Sequence, residues 1–165
     1  MRFVLFTLLC LLPALASAQD TAPIQMPDPV PYAAGSDVPA RIRNECIDLG
    51  HEIAFMVSGL MRGKVKLVQG KLSTSSPGAV LQVEIVDVFS EGNAFLGHRQ
   101  GIKLRGALYR DGRKVAAFTA QRTNTDDNML TACANLDVFA PLFARDIRRW
   151  LKDPKDGAEL GRSWF

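Results

Sequence analysis

The spacing of hydrophobic positions predicts a helix that begins near Arg41 and ends at Gly59 and Gly63. Apolar side chains recur there at three- and four-residue steps, which is typical of a helix with one buried face. An alternative start is Leu49 with Asp48 as the capping residue, because Asp is favoured at helix N-termini. The apolar stripe comprises Ile42, Cys46, Leu49, Ile53, Met56, Val57 and Leu60.

Alternation of apolar and polar residues predicts strands after this helix, since successive side chains on a strand point to opposite faces. In the clearest case, Leu81, Val83 and Ile85 share one face. Asp111-Gly112 is a two-residue hairpin signal that joins the last two strands. The four predicted strands are 64–69, 79–89, 102–110 and 114–123.

A second amphipathic helix is predicted over residues 131–151, and Pro154 ends it because proline cannot continue a helix. The order of elements predicts a single α+β domain over 41–154. Its two layers are a four-stranded, mostly antiparallel sheet and two helices on one face of that sheet. The apolar stripe of the second helix comprises Cys133, Leu136, Ala140, Phe143, Ile147 and Trp150.

The segments on either side of this domain have a different composition. Five prolines punctuate residues 19–40, which disfavours helix and favours extended backbone, so this segment is interpreted as an arm or linker. The alternative is an edge strand or strap over the domain, anchored by Ile24, Val30 and Tyr32. Residues 155–165 are interpreted as a flexible tail, and no role is assigned to its two final aromatic residues.

Residues 1–18 predict export from the cytoplasm. Arg2 gives a positive start, an apolar run follows, and Ala16-Ser17-Ala18 has the pattern of a signal-peptide cleavage site. The apolar run is shorter than the roughly 20 residues of a membrane span, and an uncleaved membrane anchor is the alternative. The sequence therefore predicts a periplasmic protein with no membrane span after signal removal.

The number of cysteines left after cleavage is consistent with a periplasmic location. Cys10 lies inside the signal peptide, so Cys46 and Cys133 remain after cleavage. An even pair in an oxidising compartment predicts a disulfide between them, whereas two buried free thiols are the alternative. The predicted meander presents a difficulty, because it sends the two helices in opposite directions while each cysteine lies near the start of its own helix.

Charge and motifs argue against several functional classes. The formal net charge of +3 is too small to indicate nucleic-acid binding. Neither His51 nor His98 has the neighbouring ligands of a metal site, and no motif sets a nucleophile beside a base. We therefore expect no metal, no cofactor and no catalytic residue. The remaining catalytic hypothesis pairs Asp87 with Glu91 for glycan cleavage.

The loop before the central hairpin is the favoured contact site. Phe95 and Leu96 are large apolar residues in a polar, glycine-containing segment, and such exposed residues often mark contact sites. The alternative is that both residues fold back onto the core. The predicted partner-binding residues are Phe95, Leu96, His98, Arg99, Lys103 and Arg105.

The polar face of the predicted sheet contributes the last two of these residues. Lys103 and Arg105 lie on it, flanked by Arg99 and Arg122. Such a row of cations would suit an acidic partner or an anionic envelope polymer. The alternative is a solvated face, since antiparallel sheets commonly leave one side in water.

Three short motifs carry a resemblance to known proteins. They are Asn44-Glu45-Cys46, Cys133-x-x-Leu136, and Asp146-Ile147-x-x-Trp150-Leu151 followed by Pro154. Through them, residues 40–154 resemble a group of short exported proteobacterial proteins of unknown function. The layout is also similar to the amino-terminal domain of TolB and to the penicillin-binding-protein activator lipoproteins. This resemblance implies an envelope interaction module, although the loop 91–97 lacks the tryptophan that the exported group often carries there.

These observations favour a non-enzymatic periplasmic interaction protein that supports envelope assembly or binds a protein partner. A periplasmic inhibitor or immunity protein that blocks a hydrolase or toxin is the alternative. An enzyme that acts on cell-wall glycan through Asp87 and Glu91 is a third hypothesis.

Overall fold

The computed structural model describes residues 22–93, 97–126 and 132–161. Within them the chain forms four helices and six strands and belongs to the α+β class. The helices are α1 (Ala40–Glu45), α2 (Leu49–Met61), α3 (Ala132–Asp137) and α4 (Ala140–Trp150). The strands are β1 (Ile24–Asp28), β2 (Val65–Gln69), β3 (Ala79–Asn93), β4 (Gly97–Arg110), β5 (Arg113–Asp126) and β6 (Ala158–Leu160).

The described strands form one mixed sheet in the order β2-β1-β3-β4-β5-β6. β3, β4 and β5 are antiparallel neighbours, whereas β1 is parallel to both β2 and β3, and β6 is parallel to β5. The predicted four-stranded, mostly antiparallel sheet with two helices is therefore wrong. β1 lies in the predicted arm, for which an edge strand was the alternative, but it occupies an inner position of the sheet. β6 lies in the segment that was interpreted as a flexible tail.

β1 lies between β2 and β3 despite its proline content. It pairs with β2 along its whole length, and its Met26 side chain is fully buried. Burial of a side chain of this size stabilises the fold by about 2 kcal/mol, which helps to offset the poor fit of proline to a sheet. Pro27 has no backbone N–H to donate, and the ladder between β1 and β3 is correspondingly short, with Gln25 opposite Val80.

Two β–α–β crossovers determine where the long helices start. α2 lies between the parallel strands β1 and β2, and α4 lies between β5 and β6. β1 and β5 run in the same direction. Each crossover helix runs back antiparallel to the two strands that it connects, so α2 and α4 start at the same end of the sheet. This arrangement removes the difficulty of the predicted meander. The disulfide between Cys46 and Cys133 is confirmed, with Cα atoms 5.2 Å apart.

The helix boundaries differ from the predicted pattern. α2 begins at Leu49 with Asp48 at the N-cap position, as in the alternative start, and α1 is a separate helix. The second predicted helix is interrupted at Val138 and Phe139. Pro141 accounts for this break, because proline is well tolerated in the first turn of a helix and disrupts a helix interior.

The main core fills the space between the helices and one face of the sheet. The Phe118 ring occupies the space left by Gly106 on β4, where an added Cβ would lie 2.3 Å from the ring. The same ring meets Trp150 of α4 edge to face, with centroids 4.8 Å apart. The largest fully buried side chains are Phe143, Met26, Leu49, Ile53, Leu81, Ile85, Ile102, Leu104, Leu108, Leu136, Ile147 and Gln100.

Candidate functional site

The face of the sheet opposite the helices is built by alternate residues of three long strands. On β4 the buried Leu104 points into the core, so Lys103 and Arg105 on either side of it point outward, and both are exposed. We call this surface the outer sheet face. It comprises Gln82, Glu84 and Asp87 of β3, Lys103, Arg105, Ala107 and Tyr109 of β4, and Ala117 and Thr119 of β5.

A cross-strand ion pair lies at the centre of the outer sheet face. Glu84 and Arg105 are register partners, and the Arg105 Nε donates to Glu84 Oε2 at 2.8 Å. Lys103 is in register with Asp87, next to the irregularity in β3 between Ile85 and Asp87. Positive and negative side chains therefore alternate across this surface, which is mixed in charge rather than uniformly basic.

Small side chains leave a depression in the middle of this face. Ala107 and Ala117 are register partners and lie in a depression of about 480 Å³ that Tyr109 and Lys114 also line. A second depression, of about 500 Å³, extends past Lys103. Both depressions share Arg105 and Thr119. Together they form a shallow, open groove across β3, β4 and β5.

An aromatic side chain lies at the far end of the same face. The Phe89 ring covers Gly101, where an added Cβ would lie 2.6 Å from two ring carbons. The Arg99 guanidinium carbon lies 5.5 Å from the centroid of this ring, which is within cation–π distance. Arg99 therefore shares the outer sheet face with Lys103 and Arg105, as the sequence pattern predicted.

Three of the predicted contact residues lie wholly or partly outside the described part of the chain. Phe95 and Leu96 lie outside the described residues. The backbone of His98 is in register with Gly92 and Asp126, but its side chain is outside what the structure describes, as is that of Glu91. The signal peptide and Cys10 also lie in the part of the chain that is not described.

Arg122 does not belong to the outer sheet face, contrary to the prediction. Its Nε donates to Asp146 Oδ2 of α4 at 3.2 Å, and its side chain is only 22 % exposed. The pair lies on the helix side of the sheet, where Asp146 is almost fully buried. This guanidinium therefore ties α4 to β5 and is not available to a partner on the outer face.

His51 has a partner that sequence reasoning missed. Its Nδ1 lies 2.6 Å from Asp28 Oδ1, and Asp28 Oδ2 accepts a hydrogen bond from Gln69 at 2.8 Å. These side chains join the start of α2 to the ends of β1 and β2. Asp28 lies 23 residues from His51, so no local spacing signals this contact.

Two kinds of feature are absent from the described ranges. No three His, Cys, Asp or Glu side chains there are placed to hold one metal ion. No helix in the same ranges is long and apolar enough to cross a bilayer.

The fold and the groove define an α+β domain with one exposed sheet face, and comparisons with known proteins add little to that. No family model matches the chain, and no curated protein matches it. The chain is similar to lipoprotein GNA1162 from Neisseria meningitidis, with 10 % identity and a TM-score of 0.46, over 77 % of this chain and 99 % of that one.

A minor lipoprotein from Acinetobacter baumannii gives a second similarity. Its identity is 12 % and its TM-score 0.39, over 77 % of this chain and 91 % of that one. Similarities this distant do not establish a shared fold or function. Both solved structures are bacterial lipoproteins, and they give no link to TolB or to the penicillin-binding-protein activators.

Proposed function

We propose that this protein is a non-enzymatic interaction protein of the bacterial cell envelope that binds a protein partner across its outer sheet face. The observation that carries the proposal is the open groove over β3, β4 and β5, on the face opposite the helices. A wide, shallow surface with mixed charges and an aromatic side chain is typical of a protein contact, whereas small-molecule sites are usually enclosed.

The charge pattern of the groove supports a protein partner over an anionic polymer. The Arg105 guanidinium is already paired with Glu84, and Asp87 faces Lys103 in the register. A polyanion bound there would be repelled by the carboxylates of Glu84 and Asp87 as well as attracted by the cations. A protein surface can match charges of both signs within a few ångströms, which gives specificity.

The same geometry disfavours glycan cleavage on this face. A glycosidase general acid lies in an apolar pocket, because burial there keeps its proton on at neutral pH. Of the hypothesised pair, Asp87 is exposed to solvent, and Glu91 is described only in its backbone. Glu84, the other carboxylate of this face, contacts a guanidinium. Neither Asp87 nor Glu84 has the surroundings of a general acid, which supports a binding role.

Export is part of the proposal. The sequence of residues 1–18 has the order of a signal peptide, and Cys46 and Cys133 form a disulfide. Structural disulfides persist in oxidising compartments such as the periplasm and are rare in the cytosol. Both features support a protein that works in the envelope.

An inhibitor or immunity protein is the second candidate. The β3–β4 hairpin favours it, since strands of 15 and 14 residues are well above the usual strand length of about five or six. A long hairpin can enter the cleft of a hydrolase or toxin. Loss of inhibition of a purified target on replacement of Phe95 and Leu96 by alanine would select this candidate.

Affinity capture from envelope extracts tests the leading proposal. The bait is the oxidised protein, compared with a Thr119→Arg variant that fills the groove and with a Lys152→Glu variant that changes the charge of an exposed residue just after α4. We expect one partner that the wild type and Lys152→Glu retain and that Thr119→Arg loses. Retention by all three baits would contradict the proposed surface, and so would turnover of an envelope substrate that a change in the groove abolishes.

A further inference from the structure

A group of exposed apolar side chains lies along the first half of α2 and beside it. Ile47 is 66 % exposed, Phe55 65 % and Val138 49 %, and in the described ranges the other large apolar side chain exposed to this degree is Val115 on β5. Ile47 directly precedes the N-cap of α2, and Phe55 lies on α2 itself. Clustered exposed apolar residues mark contact sites, whereas isolated ones need no explanation.

Three carboxylates border this apolar group. Asp48 and Glu52 are four positions apart, and Phe55 follows Glu52 by three, so all three residues share one face of α2. Asp137 directly precedes Val138. The pKa of Asp137 is raised by partial removal from water and by repulsion from Glu52 and Asp48. α3 also packs against α2, so the end of α3 and its neighbour Val138 lie beside α2.

These carboxylates are not neutralised within the protein. None of the three forms a hydrogen bond or ion pair in the described part of the chain, and Asp48 makes no capping bond although it holds the N-cap position. Asp137 ends α3, where a negative charge opposes the helix dipole. The neighbouring cations are engaged elsewhere, since Arg41 pairs with Glu45 and Arg43 donates to backbone carbonyls.

We propose that this surface docks a basic amphipathic segment of a partner protein. The surface, which we call the α2 patch, comprises Ile47, Asp48, Glu52, Phe55, Asp137 and Val138. Apolar side chains of the segment cover the exposed phenyl and aliphatic groups, and its Lys or Arg side chains meet the carboxylates.

The chemistry of the α2 patch argues against two other occupants. The carboxylates are not placed to hold one metal ion, so they suit several cations spaced along a polypeptide. An anionic lipid surface would be repelled by them, since membrane-binding helices carry Lys and Arg on their polar face. The patch lies on the helix side of the sheet, so this inference does not depend on the outer sheet face.

Binding of a model peptide tests the docking chemistry. The probe is a fluorescent peptide of about 18 residues, long enough for five helical turns, with leucine and lysine at amphipathic spacing. A peptide with glutamate in place of lysine is its control. We expect fluorescence anisotropy to show binding of the leucine–lysine peptide alone to the oxidised protein. Raising the salt from about 0.05 M to about 0.3 M should weaken that binding, because salt screens exposed charges.

Matched variants assign that binding to the α2 patch. Phe55→Ala should weaken it by about tenfold, as for a central apolar contact, and Glu52→Gln by a smaller factor. Val115→Ala removes another exposed apolar side chain, from β5, and Asp153→Asn removes an exposed carboxylate from elsewhere. Both should leave binding unchanged. Circular dichroism verifies that each variant is folded.

Three outcomes would overturn the proposal. The first is that the leucine–lysine peptide does not bind to the wild-type protein. The second is binding that Phe55→Ala and Glu52→Gln leave intact, since the peptide would then contact another surface. The third is a dimer in sedimentation analysis that Phe55→Ala dissociates, which would assign the patch to a second copy of this chain.

Discussion

At the scale of single residues, two glycines in β4 determine how aromatic rings lie on the two faces of the sheet. Gly106 leaves room for Phe118 on the core side, and Gly101 leaves room for Phe89 on the outer side. The first ring contacts a helix through Trp150. The second ring provides an apolar surface beneath the Arg99 guanidinium. Packing and the shape of the candidate site are thus set by the same strand.

Replacing Gly106 by alanine tests this packing. The added Cβ would lie 2.3 Å from the Phe118 ring, and Trp150 blocks the retreat of that ring. We expect a loss of about 2 kcal/mol in the free energy of unfolding, as is typical of an overpacked core. Gly59→Ala is the control, because nothing lies within 4 Å of its added Cβ. Chemical denaturation should show no loss of stability for Gly59→Ala, and an equal loss in both variants would contradict the account.

Asp137 gives a prediction with a definite pH dependence. The folded protein raises the pKa of this carboxyl above 3.8, so the folded state binds more protons than the unfolded state just above that pH. The contribution of Asp137 to the free energy of unfolding therefore falls as the pH rises above about 3.8. Asp137→Asn should raise Tm at pH 7 by about 1 °C, a small gain because the group is largely exposed to solvent.

Thermal unfolding at several pH values checks this prediction. The gain from Asp137→Asn should vanish below about pH 3.8, where the wild-type carboxyl is protonated in both states. Asp153→Asn, which changes an exposed carboxylate in a different region, should show no such pattern. A gain that is the same at every pH would mean that ionisation of Asp137 is not its cause.

The position of Arg122 could have been predicted from the sequence, but that of Asp28 could not. Arg122 follows Ala116, Phe118 and Ala120 at two-residue steps, so the alternation that buries those residues also turns Arg122 toward the helices. The predicted placement on the outer face overlooked this parity. The contact of Asp28 with His51 depends on how β1 enters the sheet, and no local pattern encodes it.

At the scale of secondary-structure elements, the strands with clear alternation were predicted and the irregular ones were missed. The three long strands of the sheet agree with the sequence pattern over most of their length, where buried residues occur at every second position. β3 runs past its predicted end at residue 89, and β4 begins before its predicted start at residue 102. The irregularity after Ile85 moves the next buried position of β3 to Val88. β1 contains Pro27 within a proline-rich segment. β6 has three residues, which is too short to show a period. The break between α3 and α4 was signalled by Pro141, which fits a first turn and not a helix interior.

The disulfide is the element-scale feature with the largest predicted effect. It joins α1 to α3 across a sequence separation of 87 residues, and closing a loop of that length stabilises a fold by about 4 kcal/mol in the chain-entropy model. The double replacement of Cys46 and Cys133 by alanine should lower the free energy of unfolding by about that amount.

Urea denaturation of the oxidised protein and of the double-alanine variant measures this effect. The variant should retain native far-ultraviolet circular dichroism at low temperature. Most of the core between α2, α4 and the sheet consists of apolar side chains other than the two cysteines. Reduction of the wild type should reproduce the shift. Equal stabilities of the reduced and oxidised proteins would contradict a stabilising disulfide.

At the scale of the whole molecule, the fold separates two surfaces with different chemistry. The crossovers β1–α2–β2 and β5–α4–β6 carry the long helices on one side of the sheet, and the groove with Lys103 and Arg105 lies on the other. The helix side displays the α2 patch, with apolar and acidic residues. Our two proposals therefore place their partners on opposite sides of the sheet.

Site-specific photo-crosslinking in cells tests the central claim, that the outer sheet face binds a protein. A photoreactive amino acid at Thr119 lies in the groove, and the same group at Arg148 lies on the exposed side of α4. We expect irradiation to give one discrete high-mass adduct from position 119 and none of that mass from position 148. The absence of an adduct at position 119, or the same adduct at both positions, would contradict the account.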